Sequence, residues 1–203
     1  DNMVFNVPAG KTLSIKDCDT INTGAIVGHS TEGTAYAVRV DGTFNLYNGT
    51  VTGNNGAAGV YQNGTMTIAN DTKVSGNTGA DGNPCNVYLT VGKTISISDD
   101  VSAANIGISS SVAPGAGTPI TVTGTTTKSK VGSAFSSDSS ACAVQFVNND
   151  GSAENGHMQL ISGHTHGNIL FEPWTDAATL PTEGNYYLAT DVTVATTATA
   201  ATV

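Results

Sequence analysis

The chain has 203 residues, of which 11% are charged and 24 are glycine, a size that suits one substantial domain with or without a small appendage. Sixteen acidic residues against seven basic ones give a net charge of −9, which repels phosphate backbones and anionic membrane surfaces and argues against nucleic-acid binding. No apolar run approaches the roughly 20 residues that span a bilayer, so we expect no membrane insertion. The composition suits a β-rich extracellular or cell-surface scaffold.

The first half of the chain repeats a glycine-punctuated pattern with a period of 22 to 23 residues. The segment VRVDGTFNLYNGTVTGN (38–54) recurs as VYQNGTMTIANDTKVSGN (60–77), and FNVPAGKTLSI (5–15) and VYLTVGKTISI (87–97) follow the same scheme more loosely. Such a repeat predicts a solenoid, because each unit can bury its apolar face only against its neighbours. Apolar residues at i and i+2 indicate strands. The pattern therefore predicts a parallel β-helix with three short strands per coil.

Aligning the repeats predicts which side chains stack in the interior. The three expected columns are Phe5, Val38, Val60 and Val87; Leu13, Phe44, Met66 and Ile95; and Ile15, Leu46, Ile68 and Ile97. Asn54 and Asn77 occupy equivalent positions and are expected to stack in a turn, since Asn tolerates the positive φ of bends. Gln62 puts an amide in line with Val40 and Leu89, so either this column faces solvent there or the register is locally shifted.

The second half changes character after Ile97. PGAGTPITVTG (114–124) introduces a turn and an alternating strand, and AVQFV (143–147) and MQLIS (158–162) are typical of a hairpin with a polar loop. A hairpin over the last coil would cover its exposed apolar end. The expected domains are parallel β-helix coils (1–112), a solenoid end with antiparallel capping strands (113–163), and a linker with a terminal strand (164–203).

Three segments carry a family resemblance: GTFNLYNGTVTGNNG, NVYLTVGKTISI and ILFEPWTDAATLPTEGNYYLATDVTV. Together they resemble the right-handed parallel β-helix repeat modules of large surface proteins from anaerobic gut bacteria, within the pectate-lyase-like superfamily. The resemblance spans nearly the whole chain, and its motifs specify architecture more than activity. It implies an all-β, right-handed parallel β-helix. In such modules the segment like 170–194 precedes the coils, whereas here it follows them.

This inverted order predicts self-association. Residues 1–112 resemble coils without a first rung, and residues 170–203 resemble a first rung without coils. A strand of one copy would extend the open sheet edge of the next, and such a heterologous contact builds head-to-tail oligomers or filaments. The residues expected at the contact are Tyr186, Tyr187, Leu188, Val192 and Val194 on one side and Phe5 and Val7 on the other. The alternative is one module excised from a tandem array, with neighbouring modules as its partners.

Catalysis is not expected, although pectate-lyase-like folds often carry enzymes. Polysaccharide lyases of this class combine an acidic calcium cluster with a basic residue, and the related hydrolases use paired carboxylates. This chain has a single arginine, Arg39. Its two acidic residues that are neighbours in the sequence, Asp99 and Asp100, lie where the repeat ends. We therefore expect a non-catalytic structural or adhesive module without a cofactor.

Two short patterns are candidate metal sites, and each has a plainer alternative. Asp17 and Asp19 would project from one face of a strand, as ligands of a hard cation do, but two carboxylates are too few and a solvated turn is favoured. His164 and His166 have a strand spacing that suits zinc or nickel, and His157 would join them if the hairpin end brought it near. A surface loop is favoured there, so we expect no bound metal.

Four tyrosines, Tyr36, Tyr47, Tyr61 and Tyr88, are candidates for a sugar-stacking surface, because long flat sheets suit polysaccharides and aromatic rings stack on sugar faces. Strand alternation places Tyr61 and Tyr88 in line and facing outward. A carbohydrate-binding module is therefore the alternative function.

The three cysteines, Cys18, Cys85 and Cys142, are widely spaced and odd in number. This pattern fits neither a disulfide framework nor a metal knuckle. At most one bridge forms within the chain, and buried free thiols are the plainer alternative.

Overall fold

The computed structural model describes residues 3–18, 24–28, 35–115, 117–149, 154–166, 169–174 and 185–187. These ranges consist of short strands, turns and a single four-residue helix, α1 (Lys128–Val131). The prediction of an all-β fold is confirmed.

Four successive stretches of chain, named units 1 to 4, each contribute three strands. Unit 1 contains β1 (Phe5–Val7), β2 (Thr12–Lys16) and β3 (Ala25–Ile26). Unit 2 contains β4 (Tyr36–Val40), β5 (Thr43–Tyr47) and β6 (Thr50–Val51). Unit 3 contains β7 (Ala58–Gln62), β8 (Thr65–Ala69) and β9 (Lys73–Val74). Unit 4 contains β10 (Val87–Leu89), β11 (Ile95–Ile97) and β12 (Asn105–Ser110).

Eight further strands follow unit 4. They are β13 (Ile120–Thr121), β14 (Thr126–Thr127), β15 (Phe135–Ser137), β16 (Cys142–Asn148), β17 (Asn155–Ser162), β18 (His164–His166), β19 (Ile169–Pro173) and β20 (Tyr186–Tyr187).

The units lie on one another through parallel strand pairing. A first stack contains β1, β4, β7 and β10, a second contains β2, β5, β8 and β11, and a third contains β3, β6 and β9. The long strand β12 joins the first and third stacks, because its start pairs with β9 and its end with β10. With β15 paired to β12, these two stacks form one curled, nine-stranded parallel sheet.

The register of the stacks confirms the predicted apolar columns. Leu46 pairs with Ile15 on one side and Ile68 on the other, Phe44 pairs with Met66, and the column through Val60 also pairs as expected. The column side chains of units 2 and 3 are fully buried, whereas Phe5, Leu13 and Ile15 in unit 1 and Ile97 in unit 4 are half-buried. Full burial of such a side chain stabilises a protein by about 1.5–3 kcal/mol, so the columns hold each unit on the next.

Gly64 lies in the bend between β7 and β8, where two units come closest. A Cβ atom there would contact the carbonyl oxygen of Gly42, the equivalent residue one unit earlier. The Gly64 amide donates to the carbonyl of Val40 at 2.7 Å. The repeated glycine thus permits close approach of two backbones, whereas positive φ falls on other repeat positions, such as Asn48 and Asn70 at 59° and 57°.

Gln62 was expected either to face solvent or to mark a local shift of the register, and the structure shows neither. It pairs with Val40 and Leu89 in the unshifted register and is fully buried, so the column neither faces solvent nor shifts. Its Nε2 donates to the carbonyl oxygens of Gly64 at 2.8 Å and Thr94 at 3.4 Å. These bend carbonyls explain how an amide fits among apolar neighbours. Its Oε1 has no hydrogen-bond partner among the described residues.

A hairpin covers the far end of the stacks. β16 and β17 pair antiparallel along their length, and β13 and β14 also pair with β17. The Val122 amide donates to the carbonyl of Met158, and the Val122 carbonyl accepts from the amide of Ile95, each at 2.8 Å. Met158 and Leu160 are buried in the same apolar cluster as the columns. The predicted hairpin is therefore confirmed, and it packs on the last unit.

β18, β19 and β20 form a further sheet, antiparallel between β18 and β19 and parallel between β19 and β20. Two of the residues predicted to donate a strand, Tyr186 and Tyr187, form β20. Leu188, Val192 and Val194 lie outside the described residues.

Candidate functional site

Among the described residues, no strand covers the unit 1 end of the stacks. Within the described residues, β1, β2 and β3 are the terminal strands of the three stacks, so each has one edge without a strand partner. A hollow of about 490 Å³ lies at this end, with an apolar lining that includes Val4, Phe5, Ile15, Ile26 and Val27. Val4 and Val27 are 45% and 58% exposed. The end therefore presents apolar side chains together with unpaired strand edges.

The two predicted contact residues in unit 1 are placed differently. Phe5 pairs with Val38, is half-buried and lines the hollow, whereas Val7 pairs with Val40 and is only 2% exposed. A strand added beside β1 would touch the side chain of Phe5. It would meet Val7 mainly through the backbone.

Three of the four candidate tyrosines form a ladder on the outside of the first stack. The ring centroids of Tyr36 and Tyr61 are 4.5 Å apart with planes at 29°, and those of Tyr61 and Tyr88 are 5.9 Å apart at 16°. The register pairs Tyr61 with Tyr88, but it pairs Tyr36 with Ala58, so alternation alone does not find the third ring. Tyr47 lies on β5 in the second stack.

Ring stacking decides what this tyrosine ladder can bind. Tyr36 lies against one face of Tyr61 and Tyr88 against the other, and the Arg39 guanidinium carbon is 5.4 Å from the Tyr61 centroid. Sugar stacking on Tyr61 would therefore require the ladder to open. Burial, with a smaller effect from the neighbouring tyrosines, raises the pKa of Tyr36, so this hydroxyl stays uncharged at neutral pH.

A polar row runs beside the tyrosine ladder. Arg39 Nε donates to Asp41 Oδ2 at 2.7 Å, and Asn63 Nδ2 donates to Asp41 Oδ1 at 2.8 Å. The bond from Arg39, followed by the bond from Asn63, lowers the pKa of Asp41. The row thus carries a fixed ion pair on the surface.

The acidic pair Asp99 and Asp100 belongs to an exposed turn. Asp99 Oδ1 accepts from the Asp100 amide, and Asp100 Oδ1 accepts from the Ser102 amide, both at 2.8 Å. Among the described residues, the carboxylate that forms an ion pair with Arg39 is Asp41. The described side chains therefore do not form an acidic cluster beside this arginine.

The bend between the third and first stacks contains an asparagine ladder. Nδ2 donates to the next Oδ1 from Asn54 to Asn77 at 2.9 Å, from Asn77 to Asn86 at 3.0 Å and from Asn86 to Asp138 at 2.5 Å. The predicted stacking of Asn54 and Asn77 is confirmed. Asn86 and Asp138 were not predicted, because neither recurs at the repeat spacing. A Cβ atom at Gly107 would contact both of their side chains, so glycine makes room for this bond.

Of the two candidate carboxylate ligands, Asp17 and Asp19, Asp17 has a structural role. Asp17 Oδ2 accepts from the Gly24 amide at 2.6 Å, which closes the loop after β2. Asp19 lies outside the described residues. Within the described part of the chain, no three His, Cys, Asp or Glu side chains converge as a metal site would require.

His164 and His166 lie on β18, and His157 lies on β17. The ring of His157 is fully engaged, with Nδ1 at 2.9 Å from Asn149 Oδ1 and Nε2 at 2.8 Å from Gln159 Nε2. An amide nitrogen can only donate, so the Gln159 amide donates to Nε2 and Nδ1 donates to Asn149 Oδ1. His157 therefore has no free nitrogen for a metal shared with the other two histidines.

Each cysteine is a free thiol. Cys18 is exposed, while Cys85 and Cys142 are partly buried. Burial raises the pKa of both Cys85 and Cys142. A raised pKa reduces the thiolate fraction, so neither of these two is an activated nucleophile.

Comparison with models of protein families, with curated proteins and with solved structures found no match for this chain. The class that the fold defines is an all-β protein with a curled parallel sheet. None of the helical residues in the described ranges forms a segment long and apolar enough to cross a bilayer.

Proposed function

We propose that the chain is a right-handed parallel β-helix module of an extracellular or cell-surface protein, with a non-catalytic structural or adhesive role. The three parallel stacks, to which each unit adds one strand, support the solenoid. The resemblance of the repeats to β-helix modules of bacterial surface proteins supports the location. The ion pair of Arg39 with Asp41 supports a non-catalytic role, because it occupies the single arginine of the chain.

The observation that carries the proposal is the difference between the two ends of the stacks. The hairpin of β16 and β17 packs on the last unit, whereas unit 1 ends in three strand edges around an apolar hollow. Exposed strand edges and apolar patches are sites at which other chains associate. The proposed role is therefore association through unit 1.

The proposed partner is the C-terminal segment of a second copy, residues 186–194. Val192 and Val194 have the i, i+2 spacing of Phe5 and Val7, so a strand added parallel to β1 would continue the first apolar column. Donor and acceptor are different segments of the chain, and a contact between unlike segments of two copies can build an open chain of copies. A neighbouring module in a tandem array would cover unit 1 in the same manner.

Sedimentation velocity over a wide range of protein concentration tests this proposal. We expect the wild-type protein to form oligomers whose mass grows with concentration. Val27→Glu places a charge in the hollow and should prevent association, because a buried unpaired charge is costly. Val91→Glu is the control, since Val91 is 68% exposed on unit 4 and does not line the hollow. A wild-type protein that stays monomeric at every concentration would overturn the proposal.

A synthetic peptide covering residues 185–196 identifies the donor. It should bind the wild-type protein and compete with oligomer formation, and it should not bind the Val27→Glu variant. Oligomers that persist in the presence of saturating peptide would show that another segment makes the contact.

The second candidate function is carbohydrate binding. It is favoured by the Tyr88 end of the tyrosine ladder, where the strand partner of Tyr88 on the side away from Tyr61 is Ser109, which lines a polar cleft together with Asp138. This surface is distinct from the residues that line the unit 1 hollow.

A further inference from the structure

A polar cleft of about 520 Å³ includes Ser109, the strand partner of Tyr88 at the end of the tyrosine ladder. It is lined by Asn83, Pro84, Ser109, Asp138, Ser139 and Ser140. The lining combines one carboxylate with hydroxyl and amide groups. Its volume exceeds that of a single sugar ring, and its chemistry offers both acceptors and donors to a hydroxyl-rich ligand.

Strand register places Ser109, one of the cleft residues, next to Tyr88. Tyr88 pairs with Tyr61 on one side and with Ser109 on the other, so the ring face turned away from Tyr61 lies on the side of Ser109. Among the described residues, Tyr61 is the one ring stacked on Tyr88. Ser109 carries no ring, so among the described residues the ladder of stacked rings ends at Tyr88. The last ring thus has a face that an apolar ring of a ligand can cover.

The carboxylate of Asp138 is held in a fixed orientation at the next position along this column. It accepts from the Asn86 amide at 2.7 Å, from Asn86 Nδ2 at 2.5 Å and from Ser109 Oγ at 2.8 Å. A carboxylate has about four acceptor positions, so three fixed bonds leave one for a ligand hydroxyl. Such preorganisation reduces the entropy lost on binding.

The other hydroxyls of the cleft lie at its exposed rim. Ser139 and Ser140 are both exposed and follow Asp138 directly. The Ser139 hydroxyl accepts from the Ala141 amide at 3.2 Å, which still leaves its proton to donate. The rim thus supplies donors beside the fixed acceptor.

The geometry points to a binding site for one pyranose ring of a neutral glycan, stacked on the outer face of Tyr88 with a hydroxyl donated to Asp138. A sugar would make two kinds of contact here: its ring would stack on Tyr88, and its hydroxyls would bind the fixed polar groups of the cleft. The Asp138 charge and the net charge of −9 disfavour acidic sugars. This inference rests on the carbohydrate-binding alternative and does not depend on self-association through unit 1.

Titration of the ¹⁵N-labelled full chain with neutral and acidic oligosaccharides tests the site. The probes are cellohexaose, xylohexaose, mannohexaose and galactan oligosaccharides, with oligogalacturonate as the acidic comparison. We expect at least one neutral probe to shift the amide resonances of Ser109, Ser139 and Ser140. No shift with any neutral probe, or tighter binding of oligogalacturonate, would overturn the inference.

Matched variants locate the site. Tyr88→Leu keeps an apolar side chain but removes the ring and should weaken binding at least tenfold. Ser140→Trp fills the exposed rim without touching the interior and should have the same effect, so a folding defect of the first variant would not decide the test. Tyr47→Leu, on the second stack, is the control and should bind as the wild type does. Unchanged binding by Ser140→Trp would overturn the assignment.

The same titration with the Val27→Glu variant separates the two proposals. We expect this variant to bind the neutral glycan with unchanged affinity, because Val27 lines the hollow at unit 1 and not the cleft. Loss of glycan binding in Val27→Glu would overturn the placement of the site at Tyr88. Loss of self-association alone leaves the glycan site as inferred.

Discussion

Asn86 binds Asp138 through both its backbone amide and its side-chain amide, although 52 residues separate the two in the sequence. This pair joins unit 4 to the segment that follows β15. It also ends the asparagine ladder on a group that only accepts hydrogen bonds, so the last Nδ2 of the ladder has an acceptor. The ladder is therefore fully bonded at this end.

The centre of the ladder should be the most sensitive polar position. Asn77→Ala removes the acceptor for the Asn54 amides and the donor to Asn86 and to the carbonyl of Val51. Because several buried groups lose their partner, we expect unfolding in urea to show a loss of about 3 kcal/mol or more. Asn55→Ala is the control, since Asn55 is exposed, and should change stability little. A loss of stability below about 1 kcal/mol for Asn77→Ala would contradict the expectation that these hydrogen bonds stabilise the fold.

A second prediction concerns the buried amide of Gln62. Gln62→Leu removes an Oε1 that has no partner among the described residues and matches the Leu89 next to it in the column. We expect stability equal to that of the wild type or up to about 1 kcal/mol higher, because the loss of the bond to Gly64 is offset by removal of an unsatisfied group.

The reverse exchange is the comparison for that prediction. Leu89→Gln adds a second buried amide and should cost at least about 2 kcal/mol in urea unfolding. If Gln62→Leu proved equally costly, a buried water bound to Oε1 would be the explanation, and the amide would have a structural role.

The close approach of consecutive units predicts a steric penalty at Gly64. Gly64→Ala places a methyl group against the carbonyl oxygen of Gly42, which is backbone and cannot move aside without separating two units. We expect a loss of at least about 2 kcal/mol, seen as a lower melting temperature by circular dichroism. Gly124→Ala is the control, because a Cβ there meets nothing within 4 Å. A tolerated Gly64→Ala would mean that the units lie farther apart.

A pH dependence follows from the lowered pKa of Asp41. The folded pKa lies below the ordinary value of 3.8 because of the bonds from Arg39 and Asn63. The ionised carboxylate therefore stabilises the fold above the unfolded pKa, and this contribution disappears as the pH falls through the folded pKa. For a surface pair we expect about 0.5 kcal/mol. Urea unfolding from pH 7 down to pH 2.5 should show this loss in the wild type and not in Asp41→Asn.

The three thiols should differ in reactivity. Cys18 is exposed, whereas burial raises the pKa of Cys85 and Cys142. Iodoacetamide at pH 8 should therefore modify Cys18 first, since the thiolate is the reactive form. Peptide mass mapping over time measures the order. In urea all three should react at similar rates, and a fast reaction of Cys85 in the folded protein would contradict its burial.

The apolar columns were predictable because they rest on a local repeat. Leu46 and Ile68 each lie eight residues after the paired valines Val38 and Val60, so alignment alone pairs them. Gln62 follows the same alignment, but its burial depends on the carbonyl of Thr94 in the bend of another unit. A repeat pattern contains no information about such a long-range acceptor.

The candidate sites were predictable only in part. An uncovered first unit follows from the repeat, whereas the cleft at Tyr88 depends on Asp138, which β15 brings beside Ser109. Tyr36 was not paired with Tyr61 because Ala37 and Val38 are both buried, which breaks the strand alternation. Sequence spacing identified the residue types, and long-range pairing determined which of them meet.

The parallel stacks also determine how the protein responds to tension. Within the part of the chain that the structure describes, unit 1 is held by strand pairing on one side, whereas units 2 and 3 are held on both sides. A pulling force between Phe5 and Ser137 would therefore peel the outermost unit first and release the others in sequence. The register offsets are 33 residues from Phe5 to Val38, 22 from Val38 to Val60 and 27 from Val60 to Val87, so each released unit would lengthen the chain by roughly 75 to 120 Å. The molecule is thus suited to yield stepwise under mechanical load, one unit at a time.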